Sequence, residues 1–288
     1  MFYFKEPWAS IGNTPLIRIA SQLYAKLETV NPTGSIKDRP IKYILEKAIK
    51  DNTVTKDTIL VEATSGNTGI SLSALGASLG LRVKIIMPKN MSVERKQMMM
   101  LFGAEIIEVG YSDFQGAINA RNEMVKQWDH WSPMQFENNL NIECHKNTTA
   151  DEILKQVPQQ TDISAFFSGV GTGGTIMGVR EALVENGGNP YICMVKPAEP
   201  SNDHGIQGIG DGEDYLADTS LFDEIIAIKT NDAKKKAKDF ARQRGVLVGI
   251  SSGANILAAE NYIKTNNPGG IVVTIICDRG ERYLSEFK

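Results

Sequence analysis

Cysteine is scarce in this chain: three in 288 residues, Cys144, Cys193 and Cys277, with no CxxC spacing. That count leaves no even framework for disulfides and no thiolate set for a zinc ribbon, and it fits a reducing cytoplasm. Histidine is equally rare. His130, His145 and His204 are scattered without ligand spacing, and the adjacent Cys144-His145 pair is not expected to hold a metal, so none is assigned. No apolar run is long enough to span a bilayer, and the opening MFYFKEPWAS lacks the charged start, apolar core and cleavage site of a signal peptide. Neither sign of charge is in excess: 31 Lys+Arg stand against 34 Asp+Glu, a net −3, which points away from nucleic acid and from anionic membranes. Repeats, low-complexity blocks and long linkers are missing too. Function must therefore be sought in sites.

What the chain does have is an alternation of β-rich apolar runs with helical patterns, which reads as α/β with largely parallel sheets. DTILVEA (57–63) reads as a strand, TSGNTG (64–69) as a loop and ISLSALGASLG (70–80) as a helix. RVKIIMP (82–88) is the next strand. A helix follows, capped by Ser92 and stopped by Gly103, and then strand AEIIEV (104–109). A second set starts near residue 150: helix ADEILKQV, strand ISAFFSG, a glycine-rich loop, helix TIMGVREAL and strand YICMVK. After these come strand EIIAI, helix DAKKKAKDFARQRG, strand or turn VLVGISSG, helix ANILAAENYIKT and strand GIVVTIIC. The length suits two lobes, with a ligand cleft between their facing edges.

Five stretches invite a chemical reading. In NPTGSIKDRP (31–40), Ser35 suits a helix N-cap and places Lys37 in the first turn, where the macrodipole disfavours a cation. A helix N-terminus lowers an amine's pKa, and a neutral amine is what Schiff-base chemistry needs. EATSGNTG (62–69) runs from a strand into a helix, and its backbone N–H groups with Thr64, Ser65, Asn67 and Thr68 make a carboxylate or phosphate cradle. SGVGTGGT (168–175) matches GxGxxG at Gly169, Gly171 and Gly174. A dinucleotide site would want an acid at the end of the next strand, but YICMVK ends in Lys196. Thr172 and Thr175 beside the glycines suit a phosphate monoester, and with Lys37 they point to pyridoxal 5'-phosphate. In VGISSGAN (248–255), Ser251 or Ser252 could simply cap a helix. In IICDRGERYLS (275–285), Cys277 would ordinarily be a small buried hydrophobe.

Taken in order, IGNTPL (11–16), NPTGSIKDR, EATSGNTGISL, MPKNMSVERK (87–96), QFEN (135–138), GVGTGGT, GIQGIG (205–210), GISSGA (249–254) and GERYLS (280–285) resemble the cysteine synthase family of fold-type II pyridoxal-phosphate enzymes. EATSGNTGI and IICDRGERYLS look more like the B-type members. The resemblance implies two open, twisted, largely parallel sheets flanked by helices, with the cofactor in the cleft between lobes. It implies a smaller mobile domain over 35–140 that takes the substrate carboxylate, and a larger cofactor domain from 1–34 and 141–288. Lys37 would form the internal aldimine, Asn67 would bond the ring hydroxyl, and Gly171, Thr172, Gly173, Gly174 and Thr175 would cradle the phosphate. Ser251 would face the pyridine nitrogen, with Cys277 beside it. Thr64, Ser65, Gly66, Thr68 and Gln135 would take the substrate carboxylate, and Gly208 would face its amino end. The implied reaction is β-replacement through an α-aminoacrylate: O-acetyl-L-serine and sulfide give L-cysteine. Within the resemblance a homodimeric catalytic core is expected, and nothing in the sequence supports docking of serine acetyltransferase.

Two departures bear on the substrate. VKPAEP (195–200) stands where the family usually has Val-Glu-Pro, and GIQGIG is followed by DGEDY (211–215) in place of small and apolar residues. No arginine lies between Arg180 and Arg242, whereas Asp203, Asp211, Glu213 and Asp214 cluster near the expected mouth. Those acids would repel a phosphoserine, so O-acetyl-L-serine is favoured over O-phospho-L-serine. L-Serine or L-cysteine remains open as the electrophile, giving a cystathionine β-synthase-like or cysteine lyase activity. A serine/threonine dehydratase fits the GIQGIG and GERYLS blocks less well.

Overall fold

The computed structural model describes residues 6–159, 161–200, 203–210 and 215–287. The acidic stretch Asp211, Glu213 and Asp214 lies outside the described residues. After a one-turn helix α1 (Glu6–Ala9), strands β1 (Leu16–Arg18) and β2 (Leu23–Leu27) lead to helix α2 (Asp38–Lys50). Next come β3 (Ile59–Ala63), α3 (Asn67–Leu79), β4 (Arg82–Pro88), α4 (Val93–Leu101), β5 (Glu105–Val109), α5 (Phe114–Met124) and β6 (His130–Trp131). The chain continues through α6 (Leu140–Cys144), a π-helical turn (His145–Ala150) and α7 (Asp151–Gln156), then β7 (Ile163–Gly169), α8 (Gly174–Glu185) and β8 (Tyr191–Pro197). It closes with β9 (Glu224–Ile228), α9 (Thr230–Arg244), α10 (Ile250–Asn266) and β10 (Ile271–Ile276).

Two sheets result. One has four parallel strands in the order β5-β4-β3-β6, and the other has six in the order β1-β2-β10-β7-β8-β9, antiparallel only between β1 and β2. Register in the small sheet runs from Ile59 beside Arg82 to Ala63 beside Ile86. The central strands β3 and β10 are buried along their whole length, which is why ILVEA and IVVTII read as near-continuous apolar runs. Parallel strands covered by helices on both faces require that pattern. Of the three consecutive methionines, Met99 is fully buried while Met100 is exposed, so the run is one helix turned between core and solvent.

Three capping expectations are corrected. Lys37, not Ser35, occupies the N-cap of α2, and it already has helical dihedrals (φ −69°, ψ −17°). Ser35 accepts the Lys37 N–H at 3.3 Å, whereas Asp38 turns back to accept the Thr33 N–H at 2.7 Å, the Thr33 hydroxyl and the Ser71 hydroxyl at 2.5 Å. A buried carboxylate with three donors outcompetes a serine cap. Ser92 precedes α4 but makes no cap bond; its hydroxyl donates to the Arg282 carbonyl at 3.0 Å. Helix α10 starts four residues early with Gly249 at its N-cap, so Ser251 and Ser252 lie inside its first turn.

Helix α2 is anchored to the larger sheet by a buried ionic cluster. Arg39 reaches Glu28 and Glu152, each at 2.7 Å, and Lys26 also reaches Glu152 at 2.7 Å. Burial works to raise the Glu152 carboxyl, but hydrogen bonding and charge from Arg39, then Lys26, outweigh it and bring the group to about 2. A carboxyl depressed in the folded state stabilises above its unfolded value and loses that contribution as pH falls toward about 2. Urea denaturation is expected to show about 2–3 kcal/mol lost across that acid range. Glu152→Gln should be less stable at neutral pH and should flatten this limb; an unchanged acid limb would reject the assignment.

Candidate active site

Lys37 is positioned by main-chain stitching on both sides. The Ile36 N–H donates to the Cys277 carbonyl at 2.8 Å, the Arg279 N–H donates to the Gly34 carbonyl at 3.0 Å, and Asp38 is pinned beneath Thr33. The half-buried lysine enters a cleft between the C-terminal ends of β3, β7 and β10. Such clefts beyond the carboxyl ends of parallel strands are where α/β sheets bind ligands.

On the floor, the loop after β7 runs into α8. Gly171, Thr172, Gly173 and Thr175 line the cleft, and the first N–H groups of α8 have no acceptor within the helix. A Cβ on Gly171 would run into the Gly208 carbonyl oxygen, and Gly173 has φ +91° against the Ala217 backbone. The loop is built for close approach of main chain to an anion. Gly171→Ala is expected to weaken cofactor binding at least about tenfold, because a backbone carbonyl cannot swing away as a side chain can. Titrating the apoprotein with pyridoxal 5'-phosphate checks this; unchanged affinity would show that the loop yields.

Opposite this floor, Thr64, Ser65, Asn67, Thr68 and Gln135 present hydroxyls and amides, and Gly208, Ser251 and Cys277 complete the wall. Gly66 and Gly174 sit one layer back. Their Cα atoms pack against the Arg95 side chain and Asn141, so they can offer only main-chain groups. Gln135 is held on three sides: its N–H donates to Glu62 at 3.1 Å, its Nε2 to the Ala63 carbonyl at 3.0 Å, and its Oε1 accepts from Thr68 at 2.6 Å. Burial, helped by the negative charge of Asp278 and opposed by Lys37 and a hydrogen bond to Ser251, pushes the Cys277 thiol up to about 12. It stays protonated at neutral pH and is no nucleophile. Among the described residues lining the cleft, Lys37 carries the only charged side chain.

Sequence reasoning assigned no role to the residues behind this wall. Asn67 donates to Asp278 at 2.6 Å and accepts from Arg282 at 2.5 Å; Tyr283 also donates to Asp278 at 2.6 Å. Arg95, fully buried, donates to the Ser65 carbonyl and to Gln207 and Tyr283, lies 3.9 Å from Asp278 and stacks over the Tyr283 ring. Glu62 pairs with Arg121 at 3.3 Å while holding Gln135. The signal was charge in CDRGERYLS directly after a fully buried strand.

A lysine facing a glycine-rich strand-to-helix loop, with hydroxyl and amide donors opposite, is an arrangement that suits an enzyme using a phosphorylated carbonyl cofactor on an amino acid. Comparison with known proteins agrees. Residues 8–278 match the family model described as pyridoxal-phosphate dependent enzyme. The chain is similar to cysteine synthase B of Campylobacter jejuni, 39% identical over 288 residues, covering 96% of this chain and 95% of that one. Among solved structures it resembles the O-acetylserine dependent cystathionine beta-synthase from Helicobacter pylori (TM-score 0.91, 31% identity, 99% and 98% covered). It also resembles a hydrogen sulfide-producing enzyme from Fusobacterium nucleatum (TM-score 0.89, 35% identity, 98% and 100% covered). The chain belongs to the cysteine synthase family of fold-type II pyridoxal-phosphate enzymes, and its cofactor is pyridoxal 5'-phosphate. The B-type likeness stands.

Proposed function

We propose that the enzyme makes L-cysteine and acetate from O-acetyl-L-serine and sulfide. The observation that carries this reading is the cleft's charge: Lys37 faces neutral donors, with no second cation among the described lining residues to receive a phosphorylated side chain. Thr64, Ser65, Thr68 and Gln135 take the substrate carboxylate. With Gln135 Oε1 and one Nε2 hydrogen committed, its second Nε2 hydrogen is left for that carboxylate. The main chain at Gly171–Thr175 holds the cofactor phosphate, Asn67 offers its remaining amide hydrogen to the ring hydroxyl, and Ser251 faces the ring nitrogen. When bound, the cofactor supplies covalent attachment at Lys37 and an electron sink for the substrate's Cα.

Lys37, displaced from that attachment by the substrate amine, takes the Cα proton as acetate departs from Cβ. It returns the proton to Cα after sulfide has added at Cβ. Closure of the 35–140 unit over the substrate keeps water out of the cleft between these steps. The homodimer and the cytoplasmic setting belong to the same reading. Among the described residues no helix is long and apolar enough to cross a membrane.

The second reading, release of sulfide from L-cysteine, is favoured by the likeness to the Fusobacterium nucleatum enzyme. Absorbance titration separates the two. O-acetyl-L-serine without sulfide should shift the cofactor's visible band, and sulfide should restore it with cysteine formed. A band that responds only to L-cysteine or L-serine would move the assignment to the second reading.

A further inference from the structure

The π-helical turn between α6 and α7 puts a buried histidine behind the phosphate cradle. His145 is 1% exposed; its Nδ1 lies 2.9 Å from the Thr149 hydroxyl and its Nε2 lies 3.3 Å from the Thr175 hydroxyl. Helix α8 lies close against it, since a Cβ on Gly178 would sit 2.9 Å from the His145 Cβ. Nothing in the reaction outlined above uses this side chain. A π-turn is an uncommon local geometry that frequently marks a functional position.

We infer that His145 is a positioning residue that fixes the direction of the Thr175 hydroxyl: Nε2–H donates to Thr175, so that the threonine's own proton points into the phosphate cradle. The inference rests on the reading that Thr175 binds the cofactor phosphate. The chemistry requires this direction. A hydroxyl has one hydrogen, and if Thr175 spent it on His145 it would turn a lone pair toward an anion. Thr149, one turn along, then donates to Nδ1 and fixes the tautomer. Burial, then the charges of Lys37 and Arg39, hold the imidazole neutral, which leaves it one donor and one acceptor.

The test titrates apoprotein with pyridoxal 5'-phosphate and, separately, with pyridoxal, which has no phosphate. His145→Ala should raise the Kd for the phosphorylated form about tenfold, as expected for loss of alignment of a bond to a charged group. It should leave pyridoxal binding unchanged. His145→Gln, whose amide can still donate at the ε position, should recover most of the affinity. In a Thr175→Val background the His145→Ala change should add less than about twofold. Equal losses for both ligands, or the full loss persisting in that background, would make His145 a packing residue and overturn the inference. Unchanged affinity on Thr175→Val would instead overturn the cradle reading, and the inference with it. Thermal melts of the apoproteins identify a variant that fails to fold, and His145→Gln then decides alone.

Discussion

Lys37→Ala is expected to lower turnover by about a thousandfold or more, because one side chain has two roles. It attaches the cofactor, and once displaced it carries the substrate's Cα proton out and back. No neighbour can substitute. The other cleft-lining side chains among the described residues are uncharged, and Cys277 holds its proton. Lys37→Arg should be as damaging, since guanidinium neither attaches to a carbonyl cofactor nor gives up a proton near neutral pH. The fold should tolerate both, for the stitching of this turn runs through the backbone of Gly34 and Ile36 and through the Asp38 carboxylate. Steady-state rates check the loss. Borohydride reduction followed by peptide mapping should place the cofactor on Lys37 in the parent protein and on no peptide of the variants. A variant keeping a tenth of the activity would remove the lysine from the reaction.

The parts of this site that could be read from sequence were those with local physics. A glycine-rich turn between strand and helix has one strong use, and a lysine at a helix start is a local conflict that asks for a reason. Strands RVKIIMP and EIIAI coincide with the observed β4 and β9, because their β-branched apolar residues mark a strand even where, as in the edge strand β9, most of it is exposed. What stayed hidden was set by distant partners. Strands β1 and β2 are short and partly polar and become strands only because β2 pairs with β10 and β1 with β2. Helix α5 and the π-turn carry no strong periodic apolar face. Ser35 looked like a cap until Asp38, held by Thr33 and by Ser71 across 33 residues, took over the turn. Asp278 and Arg282 of CDRGERYLS are buried because their partners, Asn67 and Arg95, lie about two hundred residues away.

That last cluster yields the second large effect. Asp278→Ala is expected to cost about 3–5 kcal/mol of stability, the range for breaking a buried ion pair from one side. The carboxylate receives Asn67 and Tyr283 at 2.6 Å each and faces Arg95 at 3.9 Å, and Tyr283 and Arg95 are both buried. Arg95 cannot compensate by turning to water. It is fully buried, its Nε has no partner already, and its remaining bonds go to the Ser65 carbonyl, Gln207 and Tyr283. Asp278→Asn keeps the shape and one acceptor oxygen but not the charge, so it should cost less than the alanine change. Urea denaturation gives the two values, and equal losses would mean that packing rather than the charge opposite Arg95 is being lost. The cluster also joins the first residue of α3 to the chain end, so its loss should loosen Asn67 and Ser65 together. KM for the amino-acid substrate should then rise more than kcat falls. A variant that is destabilised but keeps its KM would show that the cluster holds the fold without aiming the site.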